Sequence, residues 1–392
     1  MSDIRLESRR MIERLISHDT TSRNSNLDLI SFIADYLSEL GVESELVHSP
    51  DQRKANLYAT LGPADRGGIA LSGHTDVVPI DGQDWSQDPW SLTERDGRLY
   101  GRGTCDMKSF VALCLVYAPE FLKHARNLPV HFCFTYDEEI GCVGVGPLLD
   151  HLARKEIRPR CAIIGEPTGM HVVNAHKGRL GFKCHVRGHE CHSSLAPQGV
   201  NAIQYAARLI NRLVEMGRLK AEQGPFDHDY DIPFSTVHVG TIEGGTAVNI
   251  VPRDCSFEFE FRCLPGDDPR LLFNDLKGYA DKELEPEMQA IAAETGITFV
   301  QGATFAGLDT PDDHEVVTLA KSLAEMNSTA KVAFGTEAGQ IAARDIPAVV
   351  CGPGFIEQAH KPDEFISLEQ VARGEAFMER LLKKLDDAPT TS

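Results

Sequence analysis

The sequence lacks a long apolar run and an excess of positive charge. Its longest apolar run covers residues 110–118, far short of the roughly 18 to 20 residues that a bilayer crossing requires. The chain carries 39 basic and 58 acidic side chains, a formal net charge of −19, which repels polyphosphates and anionic lipid surfaces. We therefore expect neither a membrane nor a nucleic acid as a partner.

Signs of disulfides and of secretion are also missing. The ten cysteines are spread over 392 residues without a C-x-x-C pair, which is typical of reduced thiols. The first ten residues, MSDIRLESRR, carry charge where a secretion signal has its apolar core. These two observations predict a cytoplasmic protein.

Two common catalytic motifs are absent as well. The sequence contains no Gly-x-Ser-x-Gly elbow of the serine hydrolases. Gly141, Gly144 and Gly146 resemble a phosphate-binding loop, but no lysine follows them at the spacing of a P-loop. The sequence therefore favours neither a serine hydrolase nor a nucleotide-binding protein.

What is present is the composition and rhythm of a globular α/β protein. The chain is 42% hydrophobic and 25% charged, and its length suffices for two domains. Short apolar runs alternate with turn residues and with a helix over 107–123, which predicts a central sheet flanked by helices. The predicted strands include 56–61, 69–72, 130–135 and 162–165.

The pattern changes from about residue 179. Phe257, Phe259 and Phe261 alternate with Glu258 and Glu260, as in an antiparallel sheet with one face in water. Helices are expected over 201–220 and 270–293. We predict an α+β domain over 179–293, inserted into an α/β domain formed by 1–178 and 294–392.

Five motifs place histidines or carboxylates beside turn residues at predicted strand ends, where open α/β sheets build their sites. They are His74-Thr75-Asp76, Gly103-Thr104-Cys105-Asp106-Met107-Lys108, Asp137-Glu138-Glu139, Gly165-Glu166-Pro167 and Gln358-Ala359-His360. Each alone also fits a hydrogen-bonded pair, a helix cap or a solvated turn. Together they supply the nitrogen and oxygen donors that suit a pair of zinc-like ions.

Charge and spacing sharpen the metal prediction. Asp76 lies two residues after His74 on an extended segment, so we expect its carboxylate to orient the imidazole. Asp106, Glu139 and Glu166 bring three negative charges, and a bridging hydroxide a fourth, which two divalent cations balance. The predicted cofactor is therefore two divalent ions, with Zn²⁺ favoured and Co²⁺ as the second choice.

The ordered set of motifs resembles the two-zinc amidohydrolase and exopeptidase family. This family includes acetylornithine deacetylase, succinyl-diaminopimelate desuccinylase and carboxypeptidase G-type enzymes, and the resemblance covers essentially the whole chain. It implies two metal sites that share Asp106, one completed by His74 and Glu166 and the other by Glu139 and His360.

The resemblance also implies roles outside the metal ligands. Glu138 would be the general base, and the inserted domain would be a ferredoxin-like lid that forms a homodimer. His192 would reach the partner subunit's site and polarise the scissile carbonyl, while Asn249 and Arg262 would hold the substrate carboxylate. An exposed loop for His192 and a surface ion pair for Arg262 are the competing interpretations.

Three segments, 164–170, 175–178 and 334–339, are most similar to the acetylornithine deacetylase members. The resemblance therefore implies hydrolysis of N2-acetyl-L-ornithine to L-ornithine and acetate, in arginine biosynthesis, by a metal-bridged hydroxide. The acidic composition favours a cationic substrate side chain. Another N-acyl-amino-acid hydrolase or a dipeptidase is the alternative, and a non-catalytic metal-binding relative is the remote one.

Overall fold

The computed structural model describes residues 4–389, in which strands and helices alternate along the chain. The strands are β1 Ser44–His48, β2 Ala55–Leu61, β3 Ile69–His74, β4 Thr93–Arg95, β5 Arg98–Tyr100, β6 Val130–Thr135, β7 Cys161–Pro167, β8 Val172–His176, β9 Gly178–Arg187, β10 Thr236–Gly244, β11 Asp254–Cys263, β12 Gly296–Phe305, β13 Leu308–Asp309, β14 Thr329–Val332, β15 Ala348–Gly352 and β16 Phe365–Ser367. The α-helices are α1 Leu6–Ile16, α2 Leu27–Glu39, α3 Lys108–His124, α4 Val145–Leu152, α5 Ala202–Gln223, α6 Pro269–Tyr279, α7 Glu285–Gln289, α8 Glu315–Ala324, α9 Ala338–Ala342 and α10 Leu368–Asp386. None of the helices in this range combines the length and the apolar character that a membrane crossing needs.

Contacts divide the chain into two compact units. The first unit comprises the chain up to residue 175 with 308–331 and the residues from 336 onward, and the second comprises 176–307 with 332–335. The boundary expected at residue 293 differs from the structure, because β12 pairs along β9 and so belongs to the second unit. The backbone N–H and C=O groups of an edge strand can pair with one neighbouring strand only. The sequence of the strand does not reveal which neighbour that is.

A mixed sheet forms the centre of the first unit, as the sequence predicts. Its strand order is β1-β2-β6-β3-β7-β15-β8-β13, with β14 also pairing with β8. The four neighbours β6, β3, β7 and β15 run parallel to one another. Their carboxyl ends therefore lie along one edge of the sheet, where α/β proteins collect functional groups.

Helix α3 packs on this sheet through an almost wholly buried apolar face. At Gly165 in β7, an added Cβ would lie 2.0 Å from the ring of Phe110 in α3. A residue with a side chain would push the strand and the helix apart. The glycine thus permits the close approach of α3 to the strand that carries Glu166 as its next residue.

The second unit is a four-stranded antiparallel sheet in the order β10-β11-β9-β12. The predicted alternation in β11 is confirmed: its apolar residues are buried, while Glu258 is exposed. Helices α5 and α6 contact the sheet, and the ring of Phe182 stacks on that of Phe273 with centroids 3.9 Å apart. The unit therefore has its own apolar core.

Of the two helices predicted for this unit, one is continuous and the other is interrupted. The one expected over 201–220 is α5, and the Asn201 side chain caps its first turn by accepting the Gln204 N–H. The one expected over 270–293 is three pieces, namely α6, a π turn at Ala280–Leu284 and α7. Pro286 in the first turn of α7 has no N–H to donate and so cannot continue the preceding helix regularly.

Candidate metal centre

The parallel strands bring the motif residues to one edge of the large sheet. His74 is the last residue of β3, and the turn that carries Glu138 and Glu139 follows β6. Glu166 lies near the end of β7, and Asp106 lies two residues before the start of α3. Since β3, β6 and β7 are parallel neighbours, residues far apart in sequence converge here.

His74 is buried, and one of its ring nitrogens forms a hydrogen bond with the main chain. Nδ1 lies 2.9 Å from the backbone carbonyl oxygen of Asp76. A carbonyl oxygen accepts hydrogen bonds but cannot donate, so Nδ1 carries the proton of the neutral ring. Nε2 then presents its lone pair to the centre.

That lone pair faces other acceptors. Nε2 of His74 lies 2.9 Å from Oδ1 of Asp106 and 3.8 Å from Oε1 of Glu166. Two acceptor atoms at hydrogen-bonding distance repel each other unless a proton or a metal cation lies between them. The ligand atoms of His74, Asp106 and Glu139 all lie within 4.8 Å of one another, and so do those of His74, Glu138 and Glu166. Donors of these types around His74 can therefore hold a metal ion.

A second group of acceptors adjoins the first. Nε2 of His360 lies 3.2 Å from Oδ2 of Asp106 and 3.0 Å from Oε2 of Glu139. The Oε1 atom of Glu139 is buried, and no partner for it is found within residues 4–389. An unpaired buried carboxylate oxygen is costly, and a cation would satisfy it. Asp106 thus offers one oxygen to each group.

The charges of the centre shift its proton affinities in the absence of metal. Burial and then the charge of Asp106 raise the pKa of Glu139 to about 8 and that of Glu166 well above its usual range. Burial raises the pKa of Glu138 to about 7. Burial acts to lower the pKa of His74, but the charges of Glu166 and Asp106 outweigh it and raise that pKa. Without a cation the centre therefore holds protons.

Asp76 does not orient His74 in the expected way. Its carboxylate Oδ1 lies 3.6 Å from Nδ1 of His74, whereas its own backbone carbonyl accepts from that nitrogen. The carboxylate instead accepts the backbone N–H groups of Glu138 and Glu139, at 3.0 and 3.3 Å. Asp76 therefore links the two neighbouring strand ends.

Several side chains around this turn are not among the site residues predicted from the sequence. The hydroxyl of Ser22 donates to Oδ2 of Asp76 at 2.7 Å, and the ammonium group of Lys54 forms an ion pair with Asp137. Lys54 lies 83 residues from Asp137 along the chain, so no local signal could reveal the pair. Glu337 is fully buried nearby, and burial together with Glu138 raises its pKa to about 8. It lies in the 334–339 segment, which did offer a signal.

The remaining predicted site residues belong to the second unit. His192 and Asn249 lie on adjoining exposed segments, where the Ser193 N–H donates to the Asn249 carbonyl at 2.9 Å. Arg262 lies on β11, and its Nε donates to Oε1 of Glu260 at 2.8 Å. The ion pair that competes with a substrate role for Arg262 is thus present.

The fold and the site define a class of metal-dependent hydrolases built on a mixed α/β sheet. The chain belongs to peptidase family M20/M25/M40, whose family description matches residues 70–384. A metallo-carboxypeptidase of the M20 family from Sulfolobus solfataricus has the same fold, with a TM-score of 0.76 at 21% identity, covering 97% of this chain and 100% of that one. The chain is a hydrolase of this family.

Sequence similarity is more specific than the fold. The acetylornithine deacetylase of Photorhabdus laumondii is 36% identical over 93% of this chain and 92% of its own length. That of Klebsiella pneumoniae is 35% identical over 87% and 86%. The resemblance to acetylornithine deacetylases that the motifs indicated is confirmed.

Proposed function

We propose that this chain hydrolyses the amide bond of N2-acetyl-L-ornithine and releases L-ornithine and acetate. The observation that carries the proposal is the convergence of two histidines and four carboxylates at one sheet edge, in a chain 35–36% identical to acetylornithine deacetylases. The proposal includes a place in arginine biosynthesis.

Two divalent ions, Zn²⁺ or Co²⁺, are the proposed cofactor. His74 and Glu166 would hold one ion, Glu139 and His360 the other, and Asp106 both. The support is the acceptor-to-acceptor contacts of Asp106, 2.9 Å to His74 and 3.2 Å to His360. When bound, such ions lower the pKa of a water molecule and polarise the acyl carbonyl.

Glu138 is the proposed general base. Its backbone N–H is held by Asp76 at 3.0 Å, and the thiol of Cys142 donates to its Oε1 at 3.2 Å. One carboxylate oxygen is thereby oriented, and Glu138 as a whole residue is partly buried. Glu138 would take a proton from the attacking water and give it to the departing α-amine.

His192 is the proposed donor to the oxygen of the scissile carbonyl. Its Nδ1 accepts the Ser194 N–H at 3.2 Å, so the proton of the neutral ring lies on the exposed Nε2. An N–H donor aimed outward suits an oxyanion. We assign it to the partner's site in a homodimer. The edge strand β10, with its exposed Ile242, and the exposed Val214 on α5 offer a surface for that contact.

The substrate assignment is tested with a panel. Metal-loaded protein is assayed for acetate release from N2-acetyl-ornithine, other N-acetylated amino acids and neutral acetamides, with dipeptides assayed separately. We expect the highest kcat/KM for N2-acetyl-ornithine, and restored growth without arginine in a bacterium lacking acetylornithine deacetylase. A better neutral substrate or a dipeptide would replace the proposed substrate, and metal binding without turnover would favour a non-catalytic relative.

Glu138→Gln tests the base. Turnover should fall by about 10²- to 10⁴-fold, while both metal ions remain bound. An active variant refutes the assignment.

Co-expression of Glu138→Gln with the His192→Ala chain tests the shared site, because a mixed dimer holds one site with both residues intact. Recovery of activity supports the exchange of His192 between subunits, and no recovery in a proven mixed dimer contradicts it.

Arg262→Ala tests the carboxylate role of Arg262. Arginine donates two parallel hydrogen bonds to a carboxylate, so KM should rise for N-acetylated amino acids far more than for a neutral acetamide. Arg179→Ala is the matched control, because Arg179 pairs with the other oxygen of the same Glu260. Equal effects of the two variants, or equal effects on both substrates, would show that Arg262 serves the ion pair alone.

A further inference from the structure

The loop that carries Asp106 and the loop that carries His360 meet at a buried ion pair. Arg102 and Glu364 are each 1% exposed, and Nη1 of Arg102 lies 2.7 Å from Oε2 of Glu364. None of the sequence motifs pointed to Glu364. Charged groups are rarely buried so completely unless each is paired and hydrogen-bonded.

The Glu364 carboxylate is saturated by the loop that precedes Asp106. Its Oε1 accepts the backbone N–H groups of Cys105 and Asp106, at 2.8 and 3.0 Å. Its Oε2 accepts the N–H of Gly103 at 3.0 Å in addition to the guanidinium. These three backbone contacts within residues 103–106 fix the main chain up to the residue that offers an oxygen to each metal position.

Arg102 extends the same network to the second loop. Its Nη1 donates to the Lys361 carbonyl at 3.3 Å, and its Nη2 donates to Oε1 of Gln83 at 2.6 Å. The amide of Gln83 donates to the His360 carbonyl at 3.1 Å. His360 has φ +61°, a left-handed conformation that a residue with a side chain seldom adopts unless its surroundings hold it.

We propose that Arg102, Glu364 and Gln83 are positioning residues that set the spacing between Asp106 and His360 for the second metal ion. This inference rests on the two-metal site of the proposed function. A pair buried for stability alone can often be replaced by apolar side chains without loss. Here, in contrast, four of the groups that the pair contacts are main-chain groups of the two ligand-bearing loops, and the others are the Gln83 side chain and the ring of Trp85.

Glu364→Gln is the direct test. The amide keeps the shape but places N–H donors against N–H donors and leaves Arg102 without a counter-charge. Gln83→Ala is the milder variant, because Gln83 is only partly buried and its loss leaves no charge unpaired. Glu375→Gln is the matched control: Glu375 is a buried glutamate in α10 whose partners are Arg5 and Ser8.

The readouts are the affinity for each of two Co²⁺ ions, the visible absorption of the Co²⁺-loaded protein, and the melting temperature with and without metal. In Glu364→Gln the second ion should bind about 10- to 100-fold more weakly, with an altered spectrum and a smaller metal-induced rise in melting temperature. Gln83→Ala should change the same quantities in the same direction, and Glu375→Gln should change none of them.

A merely structural role would lower the melting temperatures of the metal-free and metal-loaded forms equally. Unchanged affinity and spectrum in Glu364→Gln overturn the inference, and if that variant does not fold, the same result in Gln83→Ala overturns it. Failure of the wild-type chain to bind two ions would instead refute the two-metal site itself. The two failures are therefore distinguishable.

Discussion

The two units of this protein handle charge in opposite ways. In the first unit, Asp106 and Glu166 are buried at a sheet edge among other carboxylates. In the second, Lys183 and Glu258 face each other on an open sheet, with each side chain 58% exposed. Water stabilises the second arrangement without help, whereas the first is favourable only with a compensating cation. Buried like charge therefore marks the function, and exposed alternating charge marks only the fold.

The largest effect is expected at the shared ligand. Asp106→Asn keeps the shape of the side chain but removes the charge that both metal positions use. Neither ion should bind with wild-type affinity, and acetate release should fall below that of Glu138→Gln. Metal content after dialysis and turnover check this, with circular dichroism to show an intact fold. An Asp106→Asn protein that retains two tightly bound ions would remove the basis of the comparison.

A smaller effect is expected when the cation is withdrawn and the pH is raised. In metal-free protein, the pKa values of Glu138, Glu139, Glu337 and His360 are raised to about 7, 8, 8 and 10. The folded chain therefore binds more protons than the unfolded chain between pH 6.5 and 8, so the free energy of unfolding falls as the pH rises through this interval. Lys108, whose pKa burial lowers to about 7, and His131 and His176, whose pKa values burial lowers to about 4, act in the opposite direction. The raised pKa values of His74 and Glu166 add to the first effect, so the folded chain still binds more protons.

The measurement is the melting temperature of chelator-treated protein at pH 6.5 and pH 8. It should be lower at pH 8, and the difference should shrink in Zn²⁺-loaded protein because the metal displaces the protons. A melting temperature of the metal-free form that increases over this interval contradicts the electrostatic account of the first unit.

The smallest effect is expected on the open sheet of the second unit. Lys183→Ala removes an exposed ion pair whose charged atoms are 3.7 Å apart, so the free energy of unfolding should change by no more than about 0.5 kcal/mol. Urea denaturation and metal affinity check this. A loss above about 1 kcal/mol would mean that the exposed charges of the second unit also carry stability.

Most of the ligand-type residues could be found from the sequence because His74, Glu139 and Glu166 lie at or just beyond the ends of strands that apolar runs reveal. Asp106 lies just before a helix that an apolar run reveals in the same way. The strand ending at Thr135 and the helix beginning at Lys108 agree with prediction to within a residue. The strand Gly296–Phe305 was missed, because an edge strand with a largely exposed burial pattern shows little of the alternation that identifies β11. The insertion was therefore expected to end too early.

The role of Asp76 shows the limit of local spacing. Two residues on an extended segment face the same side, which correctly brought Asp76 close to His74. Spacing does not reveal that the main-chain carbonyl, not the carboxylate, reaches the ring nitrogen. Nor does it reveal that the carboxylate is occupied by the N–H groups of a turn more than sixty residues later.

The sequence alone determined the α/β class, the alternation of β11 and the types of donor atom, because apolar period and turn chemistry are properties of neighbouring residues. The tertiary structure alone decided which of these donors lie beside each of the two oxygens of Asp106, and which distant residues support them. Arg102 and Glu364 lie 262 residues apart along the chain. Such a pair leaves no local pattern, since only the folding of the intervening chain removes both charges from water and gives each its partner.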